Sequence, residues 1–114
     1  MLYTSYFAKV RSFSPDTPVY SISVSTPFVL KSLPCVVPSW DLVKRYKDGE
    51  IDENEYTMEY VAMLDNNEAD ILRYILELPD GAVLCCYEAP GKFCHRHVLA
   101  AWLEEHNIKC EEKL

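Results

Sequence analysis

"AVLCCYEAPGKFCHRHVLAAWLEEHN", residues 82–107, decides the fold. Its opening, "AVLCCYE", is a nearly continuous apolar run that reads as a strand over 82–88. Such runs belong to strands covered on both faces, as in a parallel sheet. "CHRHVLAAWLEEHN" then reads as a helix over 94–106, with Val98, Leu99, Trp102 and Leu103 as its core stripe. "IKCEEKL" is expected to add a short edge strand at 108–112. Strand, helix and strand together make a right-handed crossover.

Working outward, "LYTSYFAKV" is rich in aromatic and β-branched residues and reads as a first strand with its exit. "RSFSPDTP" is a loop. "VYSISVS" alternates Val19, Ser21, Ser23 and Ser25 with Tyr20, Ile22 and Val24, the period of a strand. "TPFVLKSLPCVVPSW" is irregular, because three prolines forbid a helix and disfavour a central strand. "SWDLVKRYKDG" reads as a short helix capped by Ser39, with Lys44, Arg45 and Lys47 near its end and Gly49 beyond it. "DENEYTMEYVAMLDN" begins with Asp52 and Glu55 in capping-box spacing, and Tyr56, Tyr60, Met63 and Leu64 share a face. "NEADILRYILELP" has Asn67 as its cap, with Ile71, Leu72, Ile75 and Leu76 expected inward and Pro79 as the stop. The order β-β-α-α-α-β-α-β points to one α/β domain over residues 1–114. It is a compact three-layer sandwich with a small, mostly parallel sheet flanked by helices.

The chain has 114 residues and a net charge of -7. A chain this long buries roughly two thirds of its unfolded surface, so a core needs no metal or disulfide. The negative charge argues against non-specific nucleic-acid binding, which needs a basic face. Residues 1–13 lack the long apolar stretch of a signal peptide, and no run approaches a membrane span. The expectation is a cytoplasmic protein whose five cysteines are all thiols.

Chemistry concentrates between residues 85 and 97. The loop after a strand of an α/β sheet is where ligands usually bind, and the next helix aims backbone N–H groups at it. Lys92, His95 and Arg96 place cations at that positive end. An anion explains such a conflict: a bound phosphate or carboxylate, or Glu88 from within. Cys94, at the helix start beside Arg96 and His95, has the surroundings of a reactive thiol. Glu88 near His95 would orient a base. Cys86, Glu88, Cys94, His95 and Arg96 are the candidate catalytic residues. Lys92, Arg96, Tyr3, Ser5, Tyr6 and Ser23 are the candidate ligand-binding residues. The plain alternative is scaffold: Cys85 and Cys86 as core residues on opposite faces of the strand, and Glu88 and Arg96 as a salt bridge.

Two templates do not fit. A phosphatase-type cradle wants cysteine and arginine six positions apart, and six after Cys86 is Lys92. A zinc site from Cys86, Cys94, His95 and His97 matches no common finger spacing. No metal and no cofactor are expected.

These residues resemble the signature of domain-of-unknown-function family 488, found in bacteria, archaea and phages. The pattern is apolar-Cys-x-Glu, a short loop, Cys-His-Arg and an apolar helix often ending in Trp-Leu. It falls on Cys86, Glu88, Cys94, His95, Arg96 and Trp102. "YTSYF" and "VPSWDLVKRYKDGEIDENEYTMEYVAML" are similar to one subgroup. Members often carry a basic residue just after the second strand, where Val24, Ser25 and Thr26 stand here. The resemblance implies a compact α/β sandwich with the Cys-His-Arg loop at one end of the sheet. It implies no established reaction.

Two functions stay open. One is binding or processing of a small anionic molecule, a nucleotide or phosphorylated metabolite, at the Cys/Glu/His/Arg loop. The other is a non-catalytic acidic protein that binds or inhibits a host or cellular protein, which eight tyrosines would suit.

Overall fold

The structure, a computed structural model, describes residues 1–25, 30–88 and 92–113. Five strands form one all-parallel sheet: β1 (Leu2–Tyr6), β2 (Val19–Ser21), β3 (Lys31–Ser32), β4 (Val83–Cys86) and β5 (Cys110–Glu112), in the order β3-β2-β4-β1-β5. β4 lies inside the sheet, pairing with both β1 and β2. All four of its residues are buried. Leu84 and Cys86 belong to the main core, while Val83 and Cys85 face the opposite side with Phe7. The expected split of Cys85 and Cys86 across the sheet is therefore present.

The connections explain the layers. β3→β4 and β4→β5 both step toward the β5 edge of the sheet. They carry all the α-helices: α1 (Trp40–Lys47), α2 (Glu53–Asn66) and α3 (Glu68–Glu77) before β4, then α4 (His95–Glu105). β1→β2 and β2→β3 step the other way. Crossovers of one hand place these two sets on opposite faces. One face carries the large core of Leu84, Tyr60, Leu64, Ile71, Leu99 and Leu103. The other is covered by a 3-10 turn, Phe7–Ser12, through Phe7. The third layer is thus thin and holds no α-helix among the described residues.

Local signals hold at most ends. Ser39 Oγ accepts from the Leu42 N–H, and an Asp52 carboxylate oxygen accepts from the Glu55 N–H. Gly49 takes φ +77° just past α1, the left-handed conformation that glycine adopts without a Cβ penalty.

Four expectations change. The first strand stops at Tyr6, because Phe7 turns into the 3-10 segment and drops its ring into the second core. β2 covers only 19–21, and the stretch read as irregular contributes β3 at the sheet edge, just before Pro34. Asn67 makes no side-chain cap, since it also ends α2 and its carbonyl receives the Ile71 N–H. Leu76 points outward at 73% exposure, because Ile71 and Ile75 already fill the inward stripe. Thr26, noted beside Val24 and Ser25, and Ala89–Gly91 of the expected loop lie outside the described residues.

Three helices meet at Trp102. Its Nε1–H donates to Asp65 of α2 at 2.9 Å, and the His106 ring lies 4.0 Å away, centroid to centroid. His106 Nδ1 reaches the Trp102 carbonyl at 2.8 Å, and Nε2 reaches Glu68 of α3 at 2.5 Å. A carbonyl and a carboxylate only accept, so both ring nitrogens donate and the ring is charged. The Trp102 carbonyl, then Glu68, raises the His106 pKa. A raised folded pKa contributes stability that is complete below the unfolded value and disappears as pH rises through the folded value. The urea midpoint should therefore fall as pH climbs above about 6.5, and His106→Gln should flatten that decline. His95 and His97, whose pKa values are lowered by burial and then modified by their neighbours, act below that window. An equal slope in the variant would exclude His106 as its source.

Candidate functional site

The sheet order reverses direction between β2 and β4. The chain leaves β2 toward one edge and β4 toward the other, and such a switch point opens a crevice beyond the strand ends. A cleft of about 360 Å³ lies there. Ser23, Val24 and Ser25 line it after β2, and Tyr87, Glu88, Phe93, Cys94 and His95 line it after β4. Pro38, Trp40, Val43, Tyr46, Lys47 and Tyr56 come from the α1–α2 region. The aromatic rings form a connected wall. Tyr46, Tyr56 and Phe93 sit 5.2–5.4 Å apart pairwise, and Tyr60 extends the group to His95 at 5.6 Å. Trp40 and Tyr87 stand about half exposed, at 56% and 49%.

At the end of β4 and the start of α4, Cys86 and Cys94 meet. They are disulfide-bonded, with Cα atoms 7.5 Å apart. This corrects the expectation of five free thiols, which rested on compartment alone. The fold carries two cysteines, eight residues apart, to one corner. The three free cysteines are Cys35, Cys85 and Cys110. Burial pushes the thiols of Cys85 and Cys110 up to about 12 and raises Cys35 as well, so all three are poor nucleophiles.

His95 is buried beside Cys94. Its Nε2 lies 2.6 Å from the Ile22 carbonyl. That carbonyl can only accept, so the proton is assigned to Nε2 and the Nδ1 lone pair faces Cys94 Sγ at 3.8 Å. Burial pushes the His95 pKa down to about 4, and the Arg96 charge works in the same direction. The ring is neutral and serves as an acceptor.

Arg96 is fully buried and fully engaged. Its Nε and Nη2 form a two-point pair with the Glu112 carboxylate of β5, at 3.1 and 2.9 Å. Thr4 Oγ1 donates to the same carboxylate at 2.7 Å. Nη1 donates to the Glu88 carbonyl at 2.5 Å and to Cys86 Sγ at 3.0 Å. The internal anion is therefore Glu112, and Glu88 contributes its main chain rather than its carboxylate. The reason is topological: β5 runs beside β1 and brings Glu112 under the first turn of α4. Burial raises the Glu112 pKa, but hydrogen bonds from Arg96 and Thr4 outweigh it and the net shift is downward.

The candidate residues thus divide. Glu88, Cys94, His95 and Ser23 line the cleft, with Cys86 bonded to Cys94. Arg96 lies behind them. Lys92 is exposed and not among the lining residues. Tyr6 places its ring 5.9 Å from the Arg96 guanidinium. Tyr3 stacks under Lys113 at 4.7 Å, and the Ser5 hydroxyl donates to the Lys113 carbonyl. Tyr3 belongs with the thin second core rather than with the cleft. Sequence reasoning missed Trp40, Tyr46, Lys47, Tyr56 and Tyr87 as lining residues, and Glu112 as the partner of Arg96. The aromatic richness of the middle segment was the available signal.

Comparison with known families places the chain. The profile of DUF488-N3a, described as the active DUF488-N3 subclade, matches residues 11–107. The chain belongs to the DUF488-N3a family. No curated protein and no solved structure matches it. The matched span of this DUF488-N3a chain contains every residue that lines the cleft, and Thr4 and Glu112 fall outside it. No helix among its described residues is long and apolar enough to cross a membrane.

Proposed function

We propose that the cleft binds a small molecule with a flat ring and an anionic group, a nucleotide or related phosphorylated metabolite, and acts on it at the Cys94–His95 corner. The observation that carries this is the aromatic-walled cleft at the sheet's switch point, with a cysteine and an acceptor-oriented histidine in its lining. A flat ring stacks well on such walls, and stacking of one base on an aromatic side chain contributes about 1–3 kcal/mol. Lys47 and the first N–H groups of α4 supply positive charge for an anionic group. When the cysteine pair is reduced, Cys94 offers a thiol to the cleft, and His95 Nδ1, 3.8 Å from its sulfur, is placed to accept the proton.

Isothermal calorimetry on a panel of nucleoside phosphates and sugar phosphates tests this. We expect at least one nucleotide to bind, Trp40→Ala to weaken it about 5- to 150-fold, and Lys47→Ala to weaken it in a salt-dependent way. Trp40 is exposed and starts a helix, so its loss leaves the fold intact. The reading fails if no member of the panel binds. It also fails if the bound compound is indifferent to both substitutions.

A further inference from the structure

We propose that the reduced Cys86–Cys94 pair, together with Glu88, is a binding site for a thiophilic divalent cation of the zinc type, with one coordination position open to the cleft. Ligand atoms of these three residues all lie within 4.8 Å of one another. Cys86 and Cys94 are buried and Glu88 is half-buried. Cys86 ends an interior strand and Cys94 precedes the first turn of α4, so both sulfurs are held by regular elements.

Four observations favour an ion. The two Cα atoms are 7.5 Å apart, wider than the roughly 4.4–6.8 Å of most disulfides. Sulfurs that share an ion, each about 2.3 Å from it, suit such a backbone separation. Second, a Glu88 carboxylate oxygen lies within 4.8 Å of both sulfurs, so a third, oxygen donor is at hand. Third, Arg96 donates from Nη1 to both Cys86 Sγ and the Glu88 carbonyl. Hydrogen bonds of this kind orient metal ligands. Its own charge is answered by Glu112, so two thiolates and Glu88 leave a local excess of negative charge for a cation. Fourth, Glu88 and Cys94 line the cleft. Three protein ligands with the fourth position open is the pattern of working zinc sites. Thiolate donors select against magnesium and calcium.

The ligand set differs from the one the spacing suggested. His95 commits Nε2 to the Ile22 carbonyl and keeps Nδ1 3.8 Å from Cys94 Sγ, outside the cluster of Cys86, Glu88 and Cys94, and His97 is exposed. Glu88 takes their place. Disulfide and metal are alternative states of the pair. Two equivalents of a small-molecule thiol reduce the disulfide to two thiols and leave as their own disulfide. The divalent ion then displaces the two thiol protons, which pass to solvent. The meaning of the open position rests on the cleft reading above, whereas metal binding itself does not.

Cobalt(II) titration of the reduced, chelator-treated protein tests it, with no cleft ligand present. We expect one cobalt per chain, a thiolate-to-cobalt charge-transfer band and visible bands of tetrahedral intensity. Cys94→Ser should abolish the charge-transfer band or leave a weak one-thiolate remnant. Glu88→Gln should weaken binding at least about tenfold, since even outer partners of metal ligands cost that much. Glu88 is not in the core, so this variant keeps the test sound if a cysteine variant fails to fold. His97→Ala should bind like the wild type. The proposal is overturned if reduced protein with five titratable thiols binds no cobalt, if Glu88→Gln binds unchanged, or if His97→Ala abolishes the band. Failure here with nucleotide binding intact removes the metal and spares the cleft. Cobalt binding without any cleft ligand does the reverse.

Discussion

Arg96→Met should cost about 3–5 kcal/mol of folding stability, the range for removing one partner of a buried ion pair. Arg96 is 0% exposed, and its loss strands the Glu112 carboxylate, which is only partly open to water. It also removes the donors to Glu88 and Cys86. Domains of this kind hold about 5–15 kcal/mol in total, so the variant should sit close to unfolding at ordinary temperatures. Chemical denaturation measures it. The double variant Arg96→Met/Glu112→Leu should recover much of the loss, because an apolar pair leaves no buried charge. Acid adds a second reading. The Glu112 pKa is lowered in the fold, so its contribution is present above the unfolded value of about 4.3. It is lost as pH falls through the folded value. Arg96→Met should lose that acid-side dependence. A loss under about 1 kcal/mol would mean that the pair is not the anchor described here.

Trp102→Ala should cost a similar amount, about 3–5 kcal/mol, the range for deleting a large buried aromatic. The indole is 2% exposed and carries the hydrogen bond to Asp65 and the stack on His106. Trp102→Phe separates these parts. It keeps most of the bulk and loses the bond to a charged acceptor, about 1.5–3 kcal/mol. Trp40→Ala is the internal contrast, because the other tryptophan is 56% exposed and should change stability by less than about 0.5 kcal/mol. Denaturation midpoints that fail to separate Trp102→Ala from Trp40→Ala would contradict the packing at the three-helix junction.

Much of this architecture was legible in the residues, and the gaps have physical causes. β4 and α4 were readable because an unbroken apolar run and a 3.6-residue stripe are strong local patterns. The caps at Ser39 and Asp52 are local chemistry too. β3 was not readable, since two residues carry no period. The 3-10 segment at Phe7–Ser12 looks like strand in composition and differs only in where Phe7 finds its core. At the site, the crowding of Cys86, Glu88, Cys94 and His95 was visible as density. The Arg96 partner was not, because Glu88 is nearer in sequence while Glu112 is nearer in space. That ranking depends on β5 pairing with β1, which no local signal encodes. The aromatic wall was hidden for the same reason: Tyr46 and Tyr56 look like ordinary helix-face residues until the helices are laid across the strand ends.

The position of β1 has a consequence for how the chain is made. This strand is translated first among the five, yet its partners are β4 and β5. Tyr3 pairs with Val83, 80 positions later. At about 5–20 residues per second, the nascent strand waits roughly 4–16 s for its first neighbour. During that interval both of its edges are open, and Leu2, Thr4 and Ser5, all buried in the finished sheet, are exposed to water. The centre of the sheet therefore cannot form until residues 83–86 have been made. Long-range parallel pairing is also intrinsically slow, so β1 is the segment most exposed to mispairing at the ribosome.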